Sequence, residues 1–282
     1  MSVPVRVTIL GSGVLLPDDT RRSAAHLVEG ADFSLLMDCG SGALHGMDRF
    51  QKPWRGLTHL AITHFHTDHF GDLAPLLWAL HHGIPGGRDE PLVLLGPPGF
   101  NRILGALAAA HGDFVLAPGF PLEIVELERN GRWDDPRGRF ALRTHPARHT
   151  PEAVALRLEV EGVRPHDGLS IGYTGDTGPD LDLGAFFQGV GLLVAECAVA
   201  DPTELEIHLS PRSAAALAQV AEPALLVLTH LYPELDPDRL PDLLAREGYT
   251  GRVLTGRDGL TLTVGPGRVE VPPGDASTPN QN

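Results

Sequence analysis

His64-Phe65-His66-Thr67-Asp68-His69 follows directly on Leu57-Thr58-His59-Leu60-Ala61-Ile62-Thr63, an apolar run that reads as a buried strand. Four side chains able to ligate a metal fall within six residues. His64 and His66 stand two apart, so continued strand geometry turns both imidazoles to one side. Asp68 and His69 then belong to the turn beyond and can face a second point in space. This suits two neighbouring cations better than one. Imidazole and carboxylate are the donors that zinc-type divalent metals favour, and a catalytic site keeps one position open for water. The stretch supplies only part of such a site, so the remaining ligands are expected elsewhere in the chain.

The 282 residues are 42% hydrophobic and 21% charged, the balance of a globular protein with a sizeable core. No uncharged apolar run reaches the roughly 18 residues of a membrane span. Met1–Arg6 lacks the basic and apolar regions of a signal segment. The expectation is a cytoplasmic protein with no membrane partner. Cys39 and Cys197 are too few and too far apart for a disulfide framework, and both follow strand-like runs, so they are expected as buried thiols. Lys and Arg number 22 against 36 Asp and Glu, a formal net charge of −14. Proteins that grip long nucleic acids draw much of their affinity from basic patches, so a long nucleic-acid partner is not expected. Bound cations would offset the acidity locally.

Strand-like runs recur at 5–10, 25–28, 34–38, 57–63, 92–95, 122–127, 140–144, 154–160, 170–174, 192–196, 225–229 and 259–264. Helical patterns intervene near 73–82, 100–111, 211–220 and 237–247, with Ser210 as an N-cap before Pro211. Trp78 and His82, four apart on the first of these helices, share a face that could border a pocket, with core packing the favoured reading for Trp78. Gly11-Ser12-Gly13 lacks the rest of a phosphate-binding fingerprint and reads as a tight turn. Layered α/β architecture with mixed sheets fits this order better than a doubly wound one. Residues 1–271 read as a single domain. The Pro-rich stretch 272–282 reads as a disordered tail.

Sites in α/β sheets gather at strand ends, so further ligands are sought there. Asp176 lies in Thr174-Gly175-Asp176-Thr177 just past one run, His230 ends Leu225–Thr229, and His145 and His149 precede Val154–Val160. A carboxylate such as Asp176 can bridge two cations. In order and spacing, HxHxDH, His, Gly-Asp-Thr and Leu-Thr-His resemble the metallo-β-lactamase superfamily over about residues 3 to 265. The resemblance implies an αββα sandwich with a dinuclear metal site at one edge. It assigns His64, His66 and His149 to one metal, Asp68, His69 and His230 to the other, and Asp176 to both. His149 is preferred to His145 because its distance to the next strand reproduces the family's spacing. Zinc is the preferred metal on ligand type, with manganese or iron able to occupy the same donors.

Leu10-Gly11-Ser12-Gly13, Arg22, Asp38-Cys39-Gly40 and Glu90-Pro91 running into Gly96-Pro97-Pro98-Gly99 resemble the ribonuclease Z-like branch. So do Glu196 and His208, which match a Glu and a following His that lies near the scissile phosphate in that branch. Two features depart from ribonuclease Z itself. His149 to Asp176 spans 27 positions, too short for an inserted RNA-clamping arm, and Leu231-Tyr232-Pro233-Glu234 after His230 lacks a basic residue. The resemblance therefore implies a metal-dependent hydrolase, foremost a phosphodiesterase for a cyclic nucleotide, a cyclic phosphate or a short RNA end. Asp68 would orient or deprotonate water, and His208, held by Glu196, would stabilise phosphoryl charge or protonate the leaving oxygen. Tyr173 and Tyr232 support a second reading, lactone, carboxylic or sulfate ester hydrolysis. A third is a non-hydrolytic metal-binding or biosynthesis protein. Family relatives are often dimers, so the resemblance also implies a homodimer.

Overall fold

The computed structural model describes residues 4–160 and 169–273. The expected tail lies outside these apart from Pro272 and Pro273. Six strands of the first half, β1 (Val5–Gly11), β2 (Ala25–Glu29), β3 (Ser34–Met37), β4 (His59–Ala61), β5 (Leu92–Gly96) and β6 (Leu122–Glu126), lie in one sheet. A second sheet takes β7 (Arg132–Asp134), β8 (Phe140–Pro146), β9 (Val154–Val160), β10 (Ser170–Tyr173), β11 (Leu192–Glu196), β12 (Leu225–Thr229) and β13 (Val253–Thr255). The chain then returns to the first sheet with β14 (Thr261–Gly265) and β15 (Arg268–Glu270) beside β1. The strand orders are β15-β14-β1-β2-β3-β4-β5-β6 and β13-β12-β11-β10-β9-β8-β7.

Alternation along each strand divides its side chains between two cores. Leu35 and Met37 of β3 meet Leu142, Leu156, Ile171 and Val194 between the sheets. Leu36, between them in sequence, faces the other way. It joins a second core under α1 (Ala43–Arg49), α3 (Leu73–His82) and α4 (Phe100–His111). The third core packs the second sheet against α5 (Leu181–Phe186), α6 (Pro211–Ala221) and α7 (Leu240–Arg246). The result is an αββα sandwich. Both faces of both sheets are covered, which is why the central strands read as unbroken apolar runs.

Local differences from expectation have local causes. β4 is only three residues long, and the chain leaves the sheet at Ile62 to begin the site. His66 caps a further short helix, α2 (Thr67–Phe70), so Asp68 and His69 sit in its turn and not in an open loop. The helix expected from Pro237 is split: a 3₁₀ turn covers Pro237–Arg239 and α7 restarts at Leu240. Pro241 thereby falls in a first helical turn, where its missing N–H removes no bond. Gly11 and Gly13 do not form a tight turn. β1 runs through Gly11, and Gly13 bridges to Ser23 and Leu231. A side chain at Gly11 would collide with the Ser23 carbonyl. Trp78 is 50% exposed, because α3 buries Leu73, Leu76, Leu77 and Leu80 and turns Trp78 outward onto His82 and Phe114. Cys39 and Cys197 are free and buried, and Ser210 caps α6 in a capping box.

β3 to β6 are mutually parallel, as are β10 to β13. Their C-terminal ends carry Asp38, the His64–His69 stretch, Asp176, Glu196 and His230. At the other end, where β4 begins, Arg139 clamps the two sheets. It grips Asp135 with Nε and Nη2 at 2.7 Å and donates to the Asp32 carbonyl at 2.9 Å, while buried His59 lies 3.4 Å from Asp135. Burial holds His59 down at about 4, and Arg139 holds Asp135 at about 2 against the upward push of burial. His59 is neutral in the fold and gains a proton more readily when unfolded, so its contribution is lost as pH falls from about 6.5 towards 4. That of Asp135 is lost at still lower pH. Thermal melts should therefore show Tm falling below about pH 6.5, and His59→Gln should flatten the slope between there and pH 4. An unchanged slope in the variant would refute this assignment.

Candidate metal centre

Asp38 follows the buried strand β3 in left-handed backbone (φ 57°), a conformation that Asp tolerates better than most residues. Its carboxylate accepts from Thr63 N and Thr63 Oγ1 at 2.8 Å, from Tyr173 OH at 2.7 Å and from His69 Nδ1 at 2.7 Å. Backbone bonds knit the same loop to α2: Cys39 N donates to the His69 carbonyl and Asp72 N to the Cys39 carbonyl. Asp72 in turn accepts from Gly42 N and Leu44 N. A side chain at Gly40 would strike the Asp68 carbonyl, so glycine permits this close packing. His69 is thus fixed by its Nδ1, and its Nε2 is left to face the centre.

Asp176 occupies the middle. Its Oδ1 lies 3.0 Å from His69 Nε2 and 3.3 Å from His230 Nε2. Its Oδ2 lies 3.6 Å from His149 Nε2 and 3.8 Å from His64 Nε2. Each oxygen faces a different group of imidazoles. On one side the rings of His64, His66 and His149 stand mutually edge-on at 4.7–4.8 Å. On the other, Asp68 Oδ2 lies 3.3 Å from His230 Nε2, which is itself 3.3 Å from His69 Nε2. Ligand atoms of His64, His66, His149 and Asp176 lie within 4.8 Å of one another, as do those of Asp68, His69 and His230. His145 is not with them; its Nδ1 lies 2.9 Å from the Pro146 carbonyl and its ring packs on Phe186.

This donor set fits divalent cations. His64 Nε2 and Asp176 Oδ1 are buried without a hydrogen bond, although imidazole nitrogens crowd Asp176. His66 Nδ1 and His149 Nε2 face each other at 2.9 Å, so no more than one can carry the proton between them. His149 Nδ1 donates to the Ile207 carbonyl at 3.0 Å, which leaves Nε2 as its lone-pair atom. Burial, with His69 adding to it, holds His64 well below the ordinary imidazole range. Burial also lowers His149, against the pull of Asp176. Neutral imidazole is the form that ligates. Against its own burial, Asp176 is kept well below the carboxylate range by His230 and His69.

Beside the centre, Glu196 at the end of β11 accepts from Thr177 N at 2.6 Å, Leu209 N at 3.1 Å and His208 Nδ1 at 3.0 Å. Burial raises the Glu196 carboxyl against the pull of His208, and Glu196, through its hydrogen bond and charge, raises His208 above the usual imidazole range against the downward push of burial. His208 stacks on His230 at 5.7 Å and lies 5.0 Å from His149, so it touches both ligand groups. Its Nε2 is unengaged among the described residues. Tyr173 is committed to Asp38 and buried, whereas Tyr232 stands at the rim, 6.2 Å from His208 and 6.4 Å from His230. Sequence reasoning singled out neither Asp38 nor Thr63 for a role. The available signal was a carboxylate directly after the apolar run Leu35-Leu36-Met37.

Residues 34–231 match the beta-lactamase superfamily domain. The ribonuclease Z of Mycobacterium sp. (strain KMS) is 32% identical over 294 residues, 96% of this chain and all of that protein. That of Mycobacterium bovis (strain BCG / Pasteur 1173P2) is 29% identical over 94% of this chain and all of that protein. This chain belongs to the metallo-β-lactamase superfamily, in its ribonuclease Z-like branch. As a member it is a metal-dependent hydrolase. Among solved structures, the metallo-beta-lactamase fold protein YhfI of Bacillus subtilis superposes with a TM-score of 0.78 at 23% identity, over 92% of this chain and 99% of that one. Human tRNase Z, short form, gives 0.72 at 21% identity with the same shares covered. These two likenesses concern the fold. No helix among the described residues is long and apolar enough to cross a membrane.

Asp38→Asn should weaken metal binding by about 10–100-fold, because His69 loses the acceptor that orients it. Competition with a chromophoric chelator measures this. Wild-type affinity in the variant would show that His69 is held by packing alone.

Proposed function

We propose that this chain is a dinuclear zinc phosphodiesterase acting on a small or short phosphodiester: a cyclic nucleotide, a cyclic phosphate or an RNA end. The observation that carries the reading is the Glu196–His208 pair, whose imidazole stands between the two groups of ligand-type side chains. His64, His66 and His149 would hold one cation, Asp68, His69 and His230 the other, and Asp176 would serve both. Bound there, the metals supply an acidified water and neutralise charge on the reacting oxygens. Asp68, close to His230 at the centre, is placed to orient that water or take its proton. His208, held by Glu196 through Nδ1, is free to donate from Nε2 to a phosphoryl oxygen or to the departing one. Water oxygen joins phosphorus, the bond from phosphorus to the leaving oxygen breaks, and that oxygen departs with the proton from His208.

The name ribonuclease Z borne by the curated relatives supports a phosphodiester as the bond class. A short substrate is favoured here for two reasons. Only 27 positions separate His149 from Asp176 (161–168 of them outside the described residues), and the net charge is −14. Tyr232 at the rim keeps ester or lactone opening as a second reading, since a phenol there could serve a leaving oxygen; the bonding of Tyr173 to Asp38 withdraws the other candidate.

Bis-p-nitrophenyl phosphate tests the reaction class. Wild-type protein with its metals should turn it over, Asp68→Ala should abolish turnover, and His208→Ala should lower kcat by about 10²–10⁴-fold with metal content unchanged. Hydrolysis of lactones without phosphodiesters, or an unimpaired His208→Ala, would defeat the proposal.

A further inference from the structure

Three exposed loops flank the centre. Residues 200–207 lead into His208, and Ile207 gives its carbonyl to His149. Residues 231–236 follow His230 and carry Tyr232. Residues 14–20 lie beside them, because Gly13 bridges to Leu231 and Leu231 N donates to the Ser12 carbonyl. None of the three contains a basic residue. The first carries Asp201, Glu204 and Glu206; the others add Asp18, Asp19, Glu234 and Asp236, all exposed. The same loops hold out apolar side chains that a solvated surface does not need: Leu15 is 59% exposed, Leu16 45%, Leu205 51% and Ile207 45%.

Cations near the mouth are mostly occupied. Arg148, beside His149, is paired with Asp180 at 3.0 Å. Arg22 is held by Asp258 at 3.0 Å, and Arg21 donates to Ser12 Oγ and the Gly256 carbonyl at 2.7 Å. The Arg102 guanidinium and the Phe65 ring both approach Gly99. A groove of about 590 Å³ runs from His149 past Pro179 to Glu206 and Ile207. A polyanion seated at the centre would have to pass an acidic rim that, among the described residues, offers no row of cations to meet its phosphates. An apolar group attached to the reacting ester would meet leucine, isoleucine and tyrosine.

We infer that the site selects a diester carrying a single negative charge and an uncharged, apolar second ester group, and that it rejects oligonucleotides by charge. This rests on the phosphodiester reading above and narrows it, setting aside the RNA end. The acidic rim contributes repulsion that salt screens, whereas a phosphate-gripping rim would lose affinity as salt rises. The apolar loops contribute area removed from water when that second group is large.

Two measurements on the metal-loaded full chain test this. Anisotropy of a fluorescein-labelled 12-nucleotide RNA should show weaker than about 100 µM binding at low salt, and Glu204→Lys with Glu234→Lys should tighten it about tenfold. Kinetically, kcat/KM for bis-p-nitrophenyl phosphate should exceed that for methyl p-nitrophenyl phosphate by about tenfold, and Leu16→Ser with Leu205→Ser should erode that ratio about threefold or more. Micromolar RNA binding by wild type that weakens as salt rises would overturn the inference while leaving the phosphodiesterase reading intact. So would equal turnover of the two diesters. No turnover of either diester by metal-replete protein would overturn the reaction class and this substrate class with it.

Discussion

One buried carboxylate, Asp38, receives Thr63 N, Thr63 Oγ1, Tyr173 OH and His69 Nδ1. Those donors come from the loop after β4, from the end of β10 in the other sheet, and from α2. A charge with no solvent contact is costly unless its hydrogen-bonding capacity is filled, and here it is filled from both halves of the sandwich. The same bonds therefore join the two sheets at their C-terminal ends and set the angle of an imidazole in the centre. Asp38 cannot relax without releasing His69, nor can Tyr173 move without leaving a buried carboxylate short of a donor. The left-handed backbone at Asp38 is the local strain this arrangement tolerates.

The centre repeats the pattern one layer out. Asp176 divides its two oxygens between two sets of imidazoles, and Glu196 accepts from backbone donors and from His208 together. In each case a carboxylate at a strand end is fixed by groups from several elements, and the side chain it faces is fixed in turn. Such preorganisation lets an active site hold like-charged or lone-pair-bearing groups in contact, at the expense of stability elsewhere. The openness of the site is uneven: His66 is exposed, while the side chains of His64, His69, His149 and His230 are buried. Substrate can approach from the His66 side.

Much of this was legible in the sequence because the sandwich covers both faces of its strands. β11 and β12 read as apolar runs with sharp ends, β9 as a mainly apolar one carrying Arg157 and Glu159, and the observed limits of all three match. β7, β13 and β15 were missed: three-residue strands are too short to carry a period, and all three are edge strands with exposed or half-buried positions. The helices α1, α2 and α5 were missed for a related reason, since four to seven residues give no full amphipathic repeat. Core packing, the favoured reading for Trp78, does not hold, since a face shared with His82 says nothing about which face the core occupies. At the site, the ligand-type residues stood out because their chemistry is scarce and their spacing tight. Asp38 did not, since a lone carboxylate after a strand has the appearance of any turn residue until Tyr173, 135 positions away, is folded onto it.

The central claim is that Asp176 sits between two cations, each held by its own set of side chains. Diffraction from zinc-loaded crystals at the zinc absorption edge tests it directly. Two anomalous peaks about 3.5–4 Å apart, one within the His64, His66 and His149 group and one within the Asp68, His69 and His230 group, are the expected result. A single peak, or two peaks that do not share Asp176, would contradict it.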